Sequence, residues 1–581
     1  MRLPLGHQLG LLATYVRPQW PLAALLGLLL FSSTGLQLAS PQVLRAFIDA
    51  ATGSVDARLT PIALLFVGLA LVQQALAVAA TYVSERVGWT ATNALRSDLA
   101  GHVLGLDLGF HKTRTPGELI ERIDGDVTAM ANFFSQFVIQ ILGSVLLLVG
   151  ILVVLWREDW RAGAAITAFV LVALATMSQV RSIAVPYWRA ARQASAELFG
   201  FLEERLAGTE DIRAAGAPAY VLRRLFEHTR ERLRTGRRAR VVASIPWGVP
   251  LGFAAIGTSV AFVVAAYLYQ AAAITIGTAF LILHYTRELL APLNRTTAQI
   301  EEFQRASAGA LRVRELFDTP SALRDGPGAP VPAGALSVEF DRVSFGYGDG
   351  ETVLHDLSFR LAAGATLGLL GRTGSGKTTV ARLLFRLYDP AAGAVRLGGA
   401  DLRHVRLCDL RGRVGMVTQD VQLFRATVRE NLTFFDRAVS DDQIWDALEQ
   451  LGLVEWCRAL PRGLDTLLGA DGGAGLSAGQ AQLLAFGRVF LKQPGLVILD
   501  EASSRLDPAT ERLIGRTVEK LLAGPTAIVI AHRLATVQRV DQIMILEDGR
   551  IAEHGRRASL AADPSSRLAG LLRTGLEQVL V

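Results

Sequence analysis

Residues 371–379 read GRTGSGKTT, and they decide what the polar half of this chain is. The stretch satisfies G-x-x-x-x-G-K-[ST], with the apolar run Thr366–Leu370 before it and a helical run after it. A bound phosphate needs backbone N–H groups aimed at it, a cation, and no side chains in the way. Gly371, Gly374 and Gly376 clear the space, Lys377 supplies the cation, and the start of the helix supplies N–H groups. Lysine occurs only at Lys112, Lys377, Lys492 and Lys520, against a large excess of arginine. One of these rare lysines stands where a flexible point charge fits between phosphates and a planar guanidinium fork would fit poorly.

Around this turn, short β-rich runs alternate with helical stretches: Leu336–Phe340, Thr366–Leu370, Val414–Thr418, Leu496–Leu499 and Ala527–Ile530. The alternation predicts an α/β domain with a partly parallel sheet. Residues 495–501, GLVILDE, form an apolar strand ending in Asp500 and Glu501. Two acids at a strand end suit hydrolysis, one holding a metal ion indirectly and the other polarising water; an acidic pair there also serves as a helix N-cap. Residues 476–480, LSAGQ, lead into the helical run Ala481–Lys492, and Ser-x-x-Gln is a capping box that a plain helix start would also use.

The other half of the chain is of a different kind. With 51% hydrophobic and 19% charged residues among 581, and a mean hydropathy of +0.34, the chain is too apolar for an ordinary soluble enzyme. Runs of the length a bilayer needs lie at Trp20–Ser40, Pro61–Tyr82, Phe133–Trp156, Ala162–Val180, Val249–Tyr269 and Ile274–Leu290. They predict six membrane-spanning helices. The first is long for a cleaved signal peptide and more spans follow it, so it reads as retained. Thirteen arginines between Arg181 and Arg240 place the stretch between the fourth and fifth spans on the cytoplasmic side, and hence both termini too. The net charge of +6 belongs to these inner loops, so no nucleic-acid partner is expected. Cys408 and Cys457 lack metal-ligand spacing and suggest no disulfide framework. His284, Arg287 and Glu288 near the inner end of the sixth span either line a cavity or else snorkel to the interface or pair across helices. The expected division is a membrane domain over 1–317, a Pro/Gly/Ala-rich linker over 318–335, and the α/β domain over 336–581.

The phosphate loop, Gln419 after its strand, LSAGQ, VILDE, Leu506–Asp507 and Ala531–Arg533 follow one another in an order that resembles the ATP-binding cassette (ABC) family. With six spans and two long inner stretches before them, the chain is similar to half-transporters of the exporter type (type IV), such as multidrug and lipid exporters. The membrane half adds TPGELIERIDGDV (115–127), LAGTEDIRA (206–214) and ITIGTAF (274–280), which resemble the two inner loops whose short coupling helices dock on the cassettes and the start of the sixth span. The resemblance implies ATP and Mg2+ as cofactors. It implies that Tyr347 stacks on adenine and that Gly371, Thr373, Gly374, Ser375, Gly376, Lys377, Thr378 and Thr379 hold the phosphates. Thr378, Gln419 and Asp500 would serve the magnesium ion, Glu501 would be the general base, and His532 would meet the γ-phosphate. Ser477, Gly479 and Gln480, with Asp507 in the neighbouring loop, would face a second cassette, Ser477 and Gly479 meeting its ATP.

The resemblance thus implies an ATP-hydrolysing exporter of an unidentified substrate, working as a dimer in a bilayer by alternating access, with its cassette cytoplasmic and a bacterial plasma membrane as its setting. An ATP-switched regulatory or assembly subunit, or an importer, is the alternative. The chain departs from the family at Ala478, Ala481, Leu483, Ala470 and Arg505, all on the surface offered to the partner. Its own phosphate, metal and base positions are complete. That asymmetry points to a heterodimer with a weakened second site and leaves a homodimer equally open.

Overall fold

The computed structural model describes residues 10, 13–53, 59–348, 350–418, 421–469, 476–500, 508–530 and 537–574. Two compact units share the chain: Met1–Leu104 with Pro116–Thr319, and Gly105–Thr115 with Pro320–Val581.

The first unit is built of helices: α1 (Trp20–Gly53), α2 (Leu59–Gly105), then, beyond the short α3 (Leu108–Thr113) of the second unit, α4 (Gly143–Glu158), α5 (Trp160–Ala207), α6 (Pro218–Gln270), α7 (Ile276–Glu288) and α8 (Leu290–Phe317). Among the described residues, five stretches are long and apolar enough to cross a bilayer: Ala13–Gly53, Leu59–Gly105, Gln140–Glu158, Trp160–Met177 and Leu251–Gln270. The sixth expected span is made in two pieces. Helix α7 has 13 residues, a rise of only ~20 Å, so a crossing of a ~30 Å hydrocarbon core must continue past Leu289 into α8. Leu64, Leu71, Leu171, Phe262 and Val263 stay exposed on these helices, as lipid-facing residues do. Trp156, Trp160, Tyr267 and Tyr269 are exposed beside the α4–α5 and α6–α7 turns, where amphipathic rings suit a membrane–water interface.

Inside the bundle, Ile151, Leu155, Ile166, Leu268, Leu281 and Ile282 are buried in one cluster joining α4 to α7. The turn between α4 and α5 is Asp159 alone, whose carboxylate accepts from Arg161 N and Ala162 N and so caps α5. At the same end the start of α7 is pinned to α1. Asp49 accepts from Gly277 N at 2.8 Å and from the Thr275 hydroxyl at 2.9 Å, while Arg45 holds Glu158 of α4 at 2.6 Å. The long inner stretches of α5 and α6 are joined through the short helix Thr209–Ala214 and a turn at Gly216, whose φ of +63° favours glycine.

No helix or strand lies between Phe317 and Val338. The second unit then forms two sheets. One is antiparallel, in the order β2 (Thr352–Leu361), β1 (Val338–Gly346), β4 (Ala392–Leu397), β5 (Ala400–Asp401). The other runs β10 (Arg550–Arg556), β9 (Gln542–Glu547), β3 (Thr366–Leu370), β8 (Thr526–Ile530), β7 (Leu496–Asp500), β6 (Val414–Val417), parallel except for β10. Every residue of β3, β7 and β8 is buried, as expected of parallel strands covered on both faces. Phe340, Leu369 and Ile498 belong to one core cluster of this unit, Phe486, Val497 and Val529 to another.

Candidate nucleotide site

Strand β3 ends at Leu370, and the chain turns at once through Gly371, Gly374 and Gly376, with φ of +147°, +86° and +100°. These left-handed values suit glycine, and they bend the backbone around a hollow before helix α9 (Lys377–Leu384) begins. A Cβ on Gly371 would strike Leu546 O at 2.3 Å, whereas one on Gly374 would meet nothing within 4 Å. Thr373 and Gly374 are exposed, Ser375 is buried, and its hydroxyl has no hydrogen-bond partner. The Lys377 ammonium, 6% exposed, donates to Gly371 O at 2.7 Å and Arg372 O at 2.9 Å. A buried cation on its own loop's carbonyls, an unpartnered hydroxyl and open space at Gly374 form a cradle for phosphate.

Strand β8 separates β3 from β7, and Ile530 is in register with both Leu369 and Asp500. The Asp500 carboxylate, buried, therefore sits at the same sheet edge as the phosphate turn, one strand removed. Thr378 is half-buried in the first turn of α9 and Thr379 is buried beside it. The chemistry of this set, a threonine hydroxyl and a carboxylate near a phosphate cradle, suits a magnesium ion, which prefers few protein oxygens plus phosphate oxygens. Among the described residues no group of three or more His, Cys, Asp or Glu forms a metal cage, so such an ion would depend on phosphate and water for most of its shell. Gln419, Glu501, Asp507 and His532 lie outside the described residues, as do Ala470 and Arg505.

Tyr347 follows β1 and reaches over α9. Its hydroxyl lies 3.0 Å from the Thr379 hydroxyl and accepts from Arg382 Nη1 at 3.0 Å. Phe345 and Tyr388 meet its ring nearly perpendicular, at 4.9 and 5.2 Å between centroids. The aromatic expected over a base is thus anchored to the phosphate-binding helix itself. Two residues of this corner escaped sequence reasoning. Arg382 fixes the Tyr347 hydroxyl, and Lys112, from α3, stands 4.2 Å from the Tyr347 ring centre. The only signal for Lys112 was the scarcity of lysine in the chain.

Ser477 caps helix α10 (Ala478–Lys492) with a complete capping box: Gln480 N donates to the Ser477 hydroxyl at 3.1 Å, and Ser477 N to the side-chain Oε1 of Gln480 at 3.0 Å. Ser477 and Ala478 are exposed and Gly479 is buried. The plain helix-start reading is therefore realised, and it leaves first-turn N–H groups at an exposed end. Farther along α10, Arg488 donates to Gln422 O and Asn431 O, tying this helix to the segment that follows Gln419. Burial lowers the pKa of the Arg488 guanidinium, a cost set against those carbonyl bonds. In the membrane half, Gln37 of α1 donates to Glu288 of α7 at 3.5 Å, a pairing across helices, and His284 stacks on Phe280 within α7.

Residues 23–293 match the ABC transporter transmembrane region and residues 354–504 the ABC transporter family. The chain is 31% identical to an ATP-dependent lipid A-core flippase of Thiobacillus denitrificans over 565 residues, 96% of each chain. It is 39% identical over 276 residues to the uncharacterized ABC transporter ATP-binding protein YwjA of Bacillus subtilis, a match spanning 47% of this chain and 48% of that one. Among solved structures, a bacterial Atm1-family ABC exporter with ATP bound superposes with a TM-score of 0.77 at 26% identity, covering 95% of this chain and 98% of the other.

Proposed function

Because the chain belongs to the ABC transporters, as an exporter-type half-transporter and an ATPase coupled to transport, we propose that it acts as one half of a dimer in which two cassettes close on ATP and drive alternating access. It is an integral membrane protein that binds nucleotide. The arginine-rich inner stretches support cytoplasmic termini and a cytoplasmic cassette, and the bacterial relatives support a bacterial plasma membrane. We take the working division to be a membrane domain over 1–317, a linker over 318–335 and a cassette over 336–581. The substrate is unidentified.

In this reading Tyr347 receives the base, while the turn from Gly371 to Gly376, with Thr373 and Ser375, surrounds the phosphates with N–H groups. Lys377 leaves its own carbonyls for the phosphate oxygens, and Thr379 keeps Tyr347 in place. Thr378, Asp500 and Gln419 would hold magnesium, which, when bound, offsets the charge developing on the transferred phosphoryl group. Glu501 takes the proton of the attacking water, and His532 orients toward the γ-phosphate. Ser477, Gly479 and Gln480 present the start of α10 to the ATP held by a second chain, with Asp507 beside them. Each site is complete only when two chains meet.

The observation that carries this reading is the glycine turn at the end of β3, with a buried lysine satisfied by carbonyls and a buried hydroxyl left over, in a chain whose other half crosses a bilayer. The test is Glu501→Gln in purified protein in lipid nanodiscs. ATP binding should persist while hydrolysis slows by about 10²–10⁴-fold, the worth of a positioned general base. Near-normal turnover in that variant would contradict the assignment of the base.

A further inference from the structure

The short helix α3 belongs, with Gly105–Thr115, to the same compact unit as the nucleotide site, although its sequence neighbours are membrane helices. It is fixed there at its start. The Asp107 carboxylate caps α3 by accepting from Phe110 N at 3.1 Å and also accepts from Ala322 N at 2.8 Å. Five residues on, the Lys112 ammonium stands 4.2 Å from the centre of the Tyr347 ring and 5.8 Å from that of Tyr388. An ammonium so placed is held by the negative face of the ring.

We propose that Lys112 and a nucleobase compete for one face of Tyr347, so that the first inner loop is released from the cassette corner when the base arrives. The inference rests on the reading of Tyr347 as the base platform. The ring itself is not free to turn away. Its hydroxyl is tied to Thr379 and Arg382, and Phe345 and Tyr388 block it edge to face. Lys112 is the movable member, exposed and on a flexible four-carbon stem. A stacked base and an ammonium over the ring centre would occupy the same layer, so one excludes the other. Linkage then runs both ways: whatever Lys112 subtracts from base binding, base binding subtracts from the hold on α3. The triphosphate has no part in this competition, because it sits at the glycine turn.

The test uses the full chain in lipid nanodiscs and two probes, ATP and inorganic tripolyphosphate, which lacks a base. Lys112→Ala should bind ATP about two- to fivefold more tightly, the worth of an exposed cation–π contact, and bind tripolyphosphate unchanged. In a Tyr347→Ala background the same substitution should have no effect on ATP. Conversely, ATP should raise the reactivity of the Lys112 amine toward an acylating reagent, read by mass spectrometry, and tripolyphosphate should not. Weaker or unchanged ATP binding in Lys112→Ala, while Tyr347→Ala weakens it, would overturn the proposal and leave the platform standing. Unchanged ATP binding in Tyr347→Ala would remove the platform, and the proposal would fall with it. Equal loss of ATP and tripolyphosphate binding in Lys112→Ala would make the lysine a general attractor of anions and refute the competition.

Discussion

Lys377 shows how much a single residue can disclose. Its scarcity and its place after GRTGSG made its role legible, and the structure adds that its charge is buried and satisfied by Gly371 O and Arg372 O. None of the other lysines, at 112, 492 and 520, lies in the glycine turn, so Lys377→Ala should nearly abolish ATP binding, measured by direct titration. Retained nucleotide affinity would remove the loop from the site. Lys112 was illegible by contrast. It lies 235 positions upstream of its ring partner, and a cation–π contact leaves no periodic or local trace in sequence; only the packing of α3 into the second unit brings the two together. Ser477 stands between these cases. The capping box was readable, and its geometry is as expected, but a cap looks the same whether or not its helix start meets a phosphate.

At the scale of elements, the buried strands β3, β7 and β8 were legible because parallel strands are apolar throughout, and the phosphate turn announced where one of them stops. The sixth span was less so. Its apolar run predicts one helix, whereas α7, packed on α1 and α4, is interrupted at Leu289, where Pro292 brings no N–H for the Glu288 carbonyl and its ring crowds that turn. Gly277 marks that packing: a Cβ on it would lie 2.6 Å from Asp49 Oδ1 and 2.7 Å from Arg45 O. Gly277→Leu should therefore destabilise the bundle by about 1–3 kcal/mol, the usual cost of overpacking, seen as a lower unfolding midpoint in one detergent. An unchanged midpoint would show that α7 is not pinned to α1. The seat of α3 gives a second expectation. Burial works to raise the Asp107 pKa, but the amides of Ala322, Phe110 and Gly109 outweigh it and hold the carboxyl below its ordinary value. Stabilisation from a depressed carboxyl is present above the unfolded pKa, about 3.9, and is lost as pH falls through the lower folded value. Asp107→Ala should lower hydrogen-exchange protection of the Phe110 and Ala322 amides by about 2- to 30-fold at neutral pH, the worth of a helix cap. Protection as in the unaltered chain would show that the cap is not what holds α3.

For the whole molecule, family and fold were legible from the order of motifs, while the partner is not, because symmetry is a property of two chains. Ala478 and Ala481 change the surface that this chain offers, whereas Leu483, expected on that surface too, is buried in the core of the second unit because its apolar side chain packs inward; the chain's own phosphate and metal positions are intact. A heterodimer places that altered surface against a weaker second site; a homodimer builds two equal sites from the same parts. Purification from native membranes distinguishes them, since a heterodimer brings a second, different half-transporter with it. The central claim, that each ATP site is shared between two chains, has its most direct test in variants that damage opposite halves of one site. Lys377→Ala strikes the phosphate turn, and Ser477→Arg strikes the helix start offered to the other chain's ATP. ATPase activity would be measured for each pure variant and for co-expressed mixtures isolated through two different tags. In a homodimer each pure variant should be inactive and the mixture should regain activity, because both lesions then fall in one composite site and the other is whole. In a heterodimer Ser477→Arg should spare much of the hydrolysis. Full activity of pure Ser477→Arg in a demonstrated homodimer of identical chains would contradict the shared site.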